Sequence, residues 1–156
     1  MNPLGARKMV YYEKRFTLSQ GEELHMTKNN CPFCIPNEIL RCEILYEDNL
    51  WYITDMIEGE IKHGYMIITK RHIATPFDIN RTEWAELQNL LKKCKALLDD
   101  AQPDGYNLGW NINPVGGQNV AHAHLHLFGR YADEPLASKG LRYAFKQSSN
   151  KRTGKQ

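Results

Sequence analysis

The sequence lacks any hydrophobic run long enough to cross a bilayer, and its charges nearly balance. Apolar residues make up 42% of the 156 residues but are dispersed along the chain, whereas a transmembrane helix needs about 20 consecutive apolar residues. The net charge of +2 is too small to attract nucleic acid or a membrane surface through the overall field. These features predict a soluble protein with neither of those partners.

Cysteine is scarce, and the chain does not start with an export pattern. Residues 1–5 lack the basic and then apolar character of a secretory leader. We therefore expect a cytoplasmic location, where the four cysteines are reduced thiols. Cys31 and Cys34 have the two-residue gap that lets both thiolates reach one tetrahedral metal ion. This pair alone also fits a redox pair or a coincidence, although no βαβ pattern surrounds it.

Local composition divides the chain into three parts. Residues 1–28 are polar and irregular and are predicted to form an N-terminal extension. Residues 29–132 carry strand and helix patterns and are predicted to form one domain. Residues 133–156 are predicted to be a basic C-terminal tail that is partly disordered at its end.

Within the central part, the patterns predict an α+β domain with an antiparallel sheet of about five strands, one long helix and a shorter one. Apolar residues at helical spacing predict the long helix over residues 81–98, with Asn80 as N-cap and Glu83 completing a capping box. Asp55 is expected to end the first of the aromatic and β-branched strands. The strands are expected around Leu45 and over residues 50–54, 65–68, 106–112 and 120–128, with a loop over residues 57–64.

Three histidines alternate with apolar residues near the end of the domain. Because side chains alternate between the faces of a strand, His122, His124 and His126 are expected on one face, about 7 Å apart, with the apolar residues in the core. Such a stripe fits solvated surface histidines, a metal site, or a nucleophile with supporting groups. Gly116 and Gly117 precede it and let backbone N–H groups approach an anion closely, which favours phosphate chemistry.

The run GGQNVAHAHLHLF, residues 116–128, resembles the signature of the histidine triad (HIT) family, in which three histidines alternate with apolar residues after a Gly-Gln pair. The resemblance extends over about residues 30–130. It includes the Cys-Pro-Phe-Cys motif at 31–34, the strand ending at Asp55, Lys-Arg-His-Ile at 70–73, and Gly-Tyr-Asn at 105–107 leading to Asn111.

The resemblance implies a catalytic role for three side chains. His124 matches the family nucleophile, which attacks the α-phosphorus of a nucleotide derivative and forms a nucleotidyl-histidine intermediate. His126 matches the residue that contacts the phosphate, and Gln118 matches the side chain near the scissile bond. A histidine with this task must be neutral, with one ring nitrogen free and the other hydrogen-bonded. A backbone carbonyl is the expected partner of His124.

Further residues match positions that bind the nucleotide in the family. Asp55 matches the carboxylate that holds the ribose hydroxyls, and Phe33 matches an apolar wall of the base pocket. Asn111 and Gly117 are expected at the phosphate. Asn119 stands where serine or threonine is common, at a position that contacts the bridging oxygen or the leaving group.

The resemblance also implies a structural zinc ion and a dimer. Some HIT proteins bind zinc through a Cys-x-x-Cys pair, the histidine after a Lys-x pair and the first histidine of the triad. These positions are Cys31, Cys34, His72 and His122 in this chain. A homodimer whose two sheets join into one is expected by the same resemblance.

One departure from the family pattern concerns the support of the triad. Many members have Gly-His before the second strand, and that histidine supports the triad, whereas this chain has the reversed pair His63-Gly64. Either the loop shifts by one residue to restore the histidine, or the support is missing.

The predicted function is that of a nucleotide phosphate hydrolase, acting on dinucleoside polyphosphates or nucleoside phosphoramidates, with a purine nucleotide as the expected substrate. A nucleotidyltransferase, a nucleotide-binding module without catalysis and a metalloenzyme using all three histidines are the alternatives.

Overall fold

The computed structural model describes residues 28–56, 61 and 63–154. The N-terminal extension predicted over residues 1–28 lies outside the described residues except for Lys28, as does most of the loop predicted over residues 57–64. Among the described helices, none combines the length and apolar character needed to span a membrane.

Five strands form one sheet with the order β1-β2-β3-β5-β4, and all neighbours are antiparallel. This arrangement confirms the predicted α+β class with a five-stranded antiparallel sheet. The strands are β1, Ile44–Glu47; β2, Trp51–Asp55; β3, Gly64–Thr69; β4, Gly105–Trp110; and β5, His124–Arg130. Short 3₁₀ helices lie at Lys28–Asn30, Ile35–Asn37, Pro76–Asp78, Pro114–Gly116 and Ser148–Asn150.

Helix α1, Arg81–Asp99, covers one face of this sheet. It begins with the predicted capping box. The Glu83 backbone N–H donates to the Asn80 side-chain oxygen, and the Asn80 backbone N–H donates to the Glu83 carboxylate. Its buried face and the sheet share one apolar core, formed by Leu87, Leu90, Cys94 and Leu98 together with Trp51, Ile53, Ile67, Leu125 and Leu127. The sheet's other face is thus left for the histidines.

The first turn of α1 differs from the expected pattern. Trp84, one of the apolar residues whose spacing predicted the helix, is 49% exposed, and the neighbouring Glu83 is buried instead. Arg71 explains this burial, because its Nε and Nη2 donate to the two Glu83 carboxylate oxygens at 2.9 and 2.8 Å. A buried carboxylate needs such a partner. Arg71, itself half-exposed, therefore anchors the β3–α1 connection to the first turn of the helix.

Strand β5 is displaced relative to the prediction, which placed a strand over residues 120–128. It begins at His124, opposite Ile68 near the end of β3, so His122 precedes it. Since β3 ends at Thr69, residues before His124 have no neighbouring strand in register. Ala123 N–H instead donates to the carbonyl of Ile73 at 2.7 Å.

The segment after β5 folds back along β4. Arg130 fixes it by donating to the Glu134 carboxylate, the Asn107 side chain and the carbonyl of Leu136. The segment contains helix α2, Arg142–Phe145, which lies in the predicted C-terminal tail and was not predicted from the sequence.

Candidate active site and metal centre

Two cysteines and two histidines converge on one point beside the start of β5. Cys31 and Cys34 are both buried, and His122 is fully buried against them. The Nδ1 atom of His122 lies 3.4 Å from Cys31 Sγ and 3.7 Å from Cys34 Sγ, and Cys34 Sγ lies 3.3 Å from His72 Nδ1. All four potential ligand atoms lie within 4.8 Å of one another. The structure therefore brings together the four predicted metal ligands, with a geometry that can hold a metal ion.

These separations can be compared with those of a tetrahedral zinc site. Zn–S bonds of about 2.3 Å and Zn–N bonds of about 2.0–2.1 Å give sulfur–nitrogen separations of roughly 3.6 Å. The observed range of 3.3 to 3.7 Å agrees with this value. Two thiols and two imidazoles also form a donor set that zinc prefers. The residues present thus fit zinc.

The surroundings of His122 orient its ring for this purpose. Its Nε2 lies 2.7 Å from the carbonyl oxygen of Thr69, so Nε2–H donates there and Nδ1 carries the lone pair that faces the sulfurs. Metal-bound histidines commonly use their second nitrogen in this way. Burial lowers the pKa of His122 to about 4, which keeps the imidazole neutral near pH 7. The Thr69 carbonyl was not predicted from the sequence.

His124 lies at the start of β5 with its ring nitrogens in different environments. Its Nδ1 lies 2.7 Å from the carbonyl oxygen of His122, so Nδ1–H donates and Nε2 keeps a free lone pair. This backbone carbonyl is the kind of partner that was expected. Burial lowers the pKa of His124, although the bond to the His122 carbonyl opposes the effect. A neutral imidazole with a free Nε2 is the form that attacks phosphorus.

His126 follows on the same face, and its ring centroid lies 4.9 Å from that of His124. Both ring nitrogens are buried and have no hydrogen-bond partner among the described residues. Phe128 stacks on the outer side of the ring at 5.7 Å and 19°. Burial, and then the charge of His124, lowers the pKa of His126 to about 4. Such orphaned buried nitrogens are uncommon and suit a polar ligand.

The register of β3 against β5 decides between the two alternatives for the reversed pair His63-Gly64. Gly64 begins β3 opposite Phe128, and a Cβ there would lie 2.9 Å from Phe128 Cδ1. No larger side chain fits at this position without displacing Phe128. His63 is directed elsewhere, because its Nδ1 bonds to the hydroxyl of Tyr131. The loop therefore does not restore a histidine beside the triad, and Phe128 occupies that side of His126.

Phe33 and Asp55, both predicted to bind the nucleotide, lie in different places. The ring of Phe33 is 5.0 Å from that of His124 and meets it edge-on, and Tyr52 donates to the Phe33 carbonyl at 2.6 Å. Asp55 pairs with Tyr65, which pairs with Leu127 in the core under α1, so strand alternation directs Asp55 away from the histidines. Its Oδ1 accepts from Glu43 N–H at 2.7 Å. The role of Asp55 at the nucleotide stays a prediction.

Gln118 closes the loop that leads into the histidines. Its Oε1 accepts from Asn113 N–H at 2.8 Å, and its Nε2 donates to the Ala74 carbonyl at 2.7 Å. An amide nitrogen carries two N–H groups, so one donor remains beyond this bond. Gln118 therefore positions the loop and still has one N–H group for an oxygen atom.

The other predicted loop residues are exposed at the surface of the same turn. Gly117 has a φ of 88°, which favours glycine, and its Cβ position would be 3.7 Å from the Asn111 side chain. Asn111 and Asn119 are both exposed. Gly117, Asn111 and Asn119 thus form an open, polar rim of this loop, and no side chain separates Gly117 from Asn111.

Two residues near the histidines were missed from the sequence. Phe128 continues the same alternation as His124 and His126, so the strand period alone assigns it to this face. Met56, which follows Asp55, packs in the cluster of Phe33 and Met66 on this face.

Comparisons with known proteins agree with this architecture. Residues 38–133 match the HIT domain family. The purine nucleoside phosphoramidase of Escherichia coli is 31% identical over 102 residues, which cover 64% of this chain and 86% of that protein. A HIT-like protein of Synechococcus elongatus is 32% identical over 88 residues, 56% of this chain and 77% of that protein.

Solved structures show the same fold. A HIT family protein from Bacillus anthracis superposes with a TM-score of 0.62 at 29% identity, covering 69% of this chain and 77% of that one. A HIT family hydrolase from Clostridium thermocellum gives a TM-score of 0.56 at 32% identity, covering 68% and 95%. Because the family model matches residues 38–133, more than half of its length, the chain belongs to the HIT family.

Proposed function

We propose that this protein is a nucleotide phosphate hydrolase that acts on a purine dinucleoside polyphosphate or nucleoside phosphoramidate through a nucleotidyl intermediate on His124. The observation that carries the proposal is the bond between His124 Nδ1 and the His122 carbonyl, which leaves Nε2 as a neutral nucleophile. The purine preference follows the phosphoramidase relative, which is 31% identical.

The reaction divides one displacement into two steps. His124 Nε2 forms a bond to the α-phosphorus, and the bond from phosphorus to the leaving oxygen or nitrogen breaks with its electron pair moving to the leaving group. Water then attacks the phosphorus, the phosphorus–nitrogen bond returns its pair to Nε2, and the nucleoside monophosphate leaves. The group that leaves in the first step takes a proton from solvent, and the attacking water releases a proton to solvent in the second step, so that the protons balance.

His126 is proposed to stabilise the negative charge that develops on the phosphoryl oxygens during this reaction. In the free protein its buried nitrogens are unpaired and neutral. A phosphate next to the ring favours its protonated form, since an opposite charge raises the pKa of an imidazole. His126 then donates to a phosphoryl oxygen as negative charge develops there. The remaining N–H of Gln118 and the exposed rim of Gly117, Asn111 and Asn119 are proposed to face the phosphate and the leaving group.

Zinc, bound by Cys31, Cys34, His72 and His122, would supply a structural cross-link. Four protein ligands leave no open position for substrate, which separates this site from the chemistry. Holding His122 fixes the carbonyl that His124 uses, and holding the cysteine pair fixes Phe33 between them. Phe33 is proposed as a wall of the base pocket. The reduced thiols that this site needs fit a cytoplasmic location, which forms part of the proposal.

A homodimer through β4 completes the proposal. β4 is an edge strand, and Leu108 on it is 49% exposed. Unpaired edges that expose apolar side chains are suited to pairing with a second strand. Light scattering coupled to size exclusion should give twice the chain mass. A monomer at micromolar concentration would contradict this part.

Hydrolysis of diadenosine tetraphosphate and adenosine phosphoramidate by the wild type and by His124→Ala tests the enzymatic claim. We expect loss of at least a thousandfold in turnover for both substrates, because covalent catalysis needs the nucleophile. His63→Ala is the matched control, because it removes an imidazole directed away from this face. Wild-type protein that hydrolyses neither substrate would contradict the proposal.

A second candidate function, nucleotide binding without turnover, is favoured by one observation. Phe128 takes the space where the family pattern has a supporting histidine, so His126 lacks a protein partner. Calorimetry distinguishes the two functions. Binding of adenosine monophosphate together with no turnover of either substrate would support the binding module.

A further inference from the structure

The segment after β5 runs beside the candidate active site. Gly109 of β4 pairs with His126, and the place of a Cβ on Gly109 is 3.5 Å from Leu141 Cδ1. Paired residues in neighbouring antiparallel strands lie about 5 Å apart, so Leu141 is close to the row of His126. The anchor at Arg130 fixes this segment on the β4 side of the histidines.

A shallow, solvent-exposed cavity of about 610 Å³ lies along this segment, with Asn107 as its lining residue from β4. Three cationic side chains, Lys139, Arg142 and Lys146, line it together with Asn107, and no carboxylate does. Lys139 lies over the ring of Tyr143, at 5.4 Å from its centroid. A cluster of cations without counter-charges in one cavity is suited to binding a polyanion.

The direction of the bound nucleotide follows from the sheet order. Phe33 contacts His124 and is held by Tyr52 of β2, which lies on the other side of β3 from β5. The base pocket therefore lies toward β2, and β4 lies on the opposite side of the histidines. A substrate with its base at Phe33 and its α-phosphate at His124 directs its remaining phosphates toward β4 and the cavity.

We infer that Lys139, Arg142 and Lys146 form a subsite for the phosphates beyond the α-phosphate. This inference rests on the proposed function for the position of the α-phosphate. It narrows the substrate class, because a phosphoramidate has no phosphate to place there, whereas a nucleoside polyphosphate has two or more. The subsite would thereby favour polyphosphate substrates over phosphoramidates without excluding the latter.

The variant Lys139→Gln/Arg142→Gln/Lys146→Gln tests the subsite. We expect kcat/KM for diadenosine tetraphosphate to fall about tenfold, as for the loss of three solvent-exposed ion pairs of modest strength. Turnover of adenosine phosphoramidate should stay within twofold of the wild type. The matched control is Arg81→Gln/Lys92→Gln/Lys151→Gln, which removes the same charge outside the cavity and should change neither substrate. Equal losses in both triple variants, or for both substrates, would overturn the subsite.

A binding experiment separates this inference from the enzymatic claim. Adenosine triphosphate and adenosine monophosphate are titrated into His124→Ala protein with and without the cavity substitutions. We expect the triphosphate to bind about tenfold more tightly, and the cavity substitutions to remove that preference. Equal affinity for the two nucleotides without the substitutions would overturn the subsite. Absence of turnover in the wild type together with the expected preference would refute the proposed function and leave the subsite in place.

Discussion

Removing one thiolate, as in Cys31→Ser, tests the role of the Cys31, Cys34, His72 and His122 cluster as a structural zinc site. The cluster joins positions that are 38 and 91 residues apart along the chain. If the metal acts as a cross-link, the closed-loop entropy of such spans amounts to about 4 to 5 kcal/mol. Serine is a poor zinc ligand, so we expect this loss in the free energy of unfolding.

The assay combines metal analysis with urea unfolding. We expect one zinc per wild-type chain, less than a tenth of that in Cys31→Ser, and a decrease of about 4 kcal/mol that a strong chelator reproduces in the wild type. Cys42→Ser is the matched control, because this thiol lies outside the cluster and should keep both zinc and stability. His126→Ala should also retain zinc. Full zinc in Cys31→Ser together with zinc loss in His126→Ala would refute the assignment and favour a metal on the histidine strand.

Three further predictions concern stability and follow from single contacts, each measured by urea unfolding. Replacing Arg71 with Gln leaves the buried Glu83 carboxylate without its cationic partner and with the bond from Asn80 N–H, and should cost about 1.5–3 kcal/mol; a loss below 1 kcal/mol would contradict the anchoring role. The hydrogen bonds from Arg71 lower the pKa of Glu83, so their stabilisation is complete above the unfolded pKa of about 4.3 and is lost as pH falls through the lower folded pKa, a dependence that Glu83→Gln should remove; an unchanged pH profile would count against it. Gly64→Ala places a Cβ 2.9 Å from Phe128 and should cost about 1–3 kcal/mol, part of which Gly64→Ala/Phe128→Leu recovers; no recovery would mean that the contact is unimportant.

Local periodicity was sufficient to predict most of the fold. Helix α1 occupies the predicted range to within one residue, because its capping box and apolar spacing are both local signals. Leu125 and Leu127 enter the core as alternation requires. The antiparallel sheet and the convergence of the four Cys and His residues were also anticipated. The antiparallel sheet follows from the strand patterns, whereas the set of four Cys and His ligands was implied by the resemblance to the HIT family.

Features that depend on contacts between distant segments could not be predicted from local periodicity. The strand predicted from residue 120 begins at His124, because β3 ends at Thr69 and His122 instead contacts the Cys31 sulfur. The direction of the Asp55 side chain likewise depends on the pairing of this residue with Tyr65. The burial of Glu83 likewise depends on Arg71, twelve residues earlier.

The central claim is that His124 forms a covalent bond to the nucleotide. A rapid quench of wild-type protein with excess diadenosine tetraphosphate, followed by intact-mass analysis under non-acidic conditions, tests it directly. The account predicts a transient increase in mass by one nucleotidyl group, located on His124 by peptide mapping and absent in His124→Ala. A stoichiometric adduct on His126 or His122, or hydrolysis by the His124→Ala protein at the wild-type rate, would contradict it.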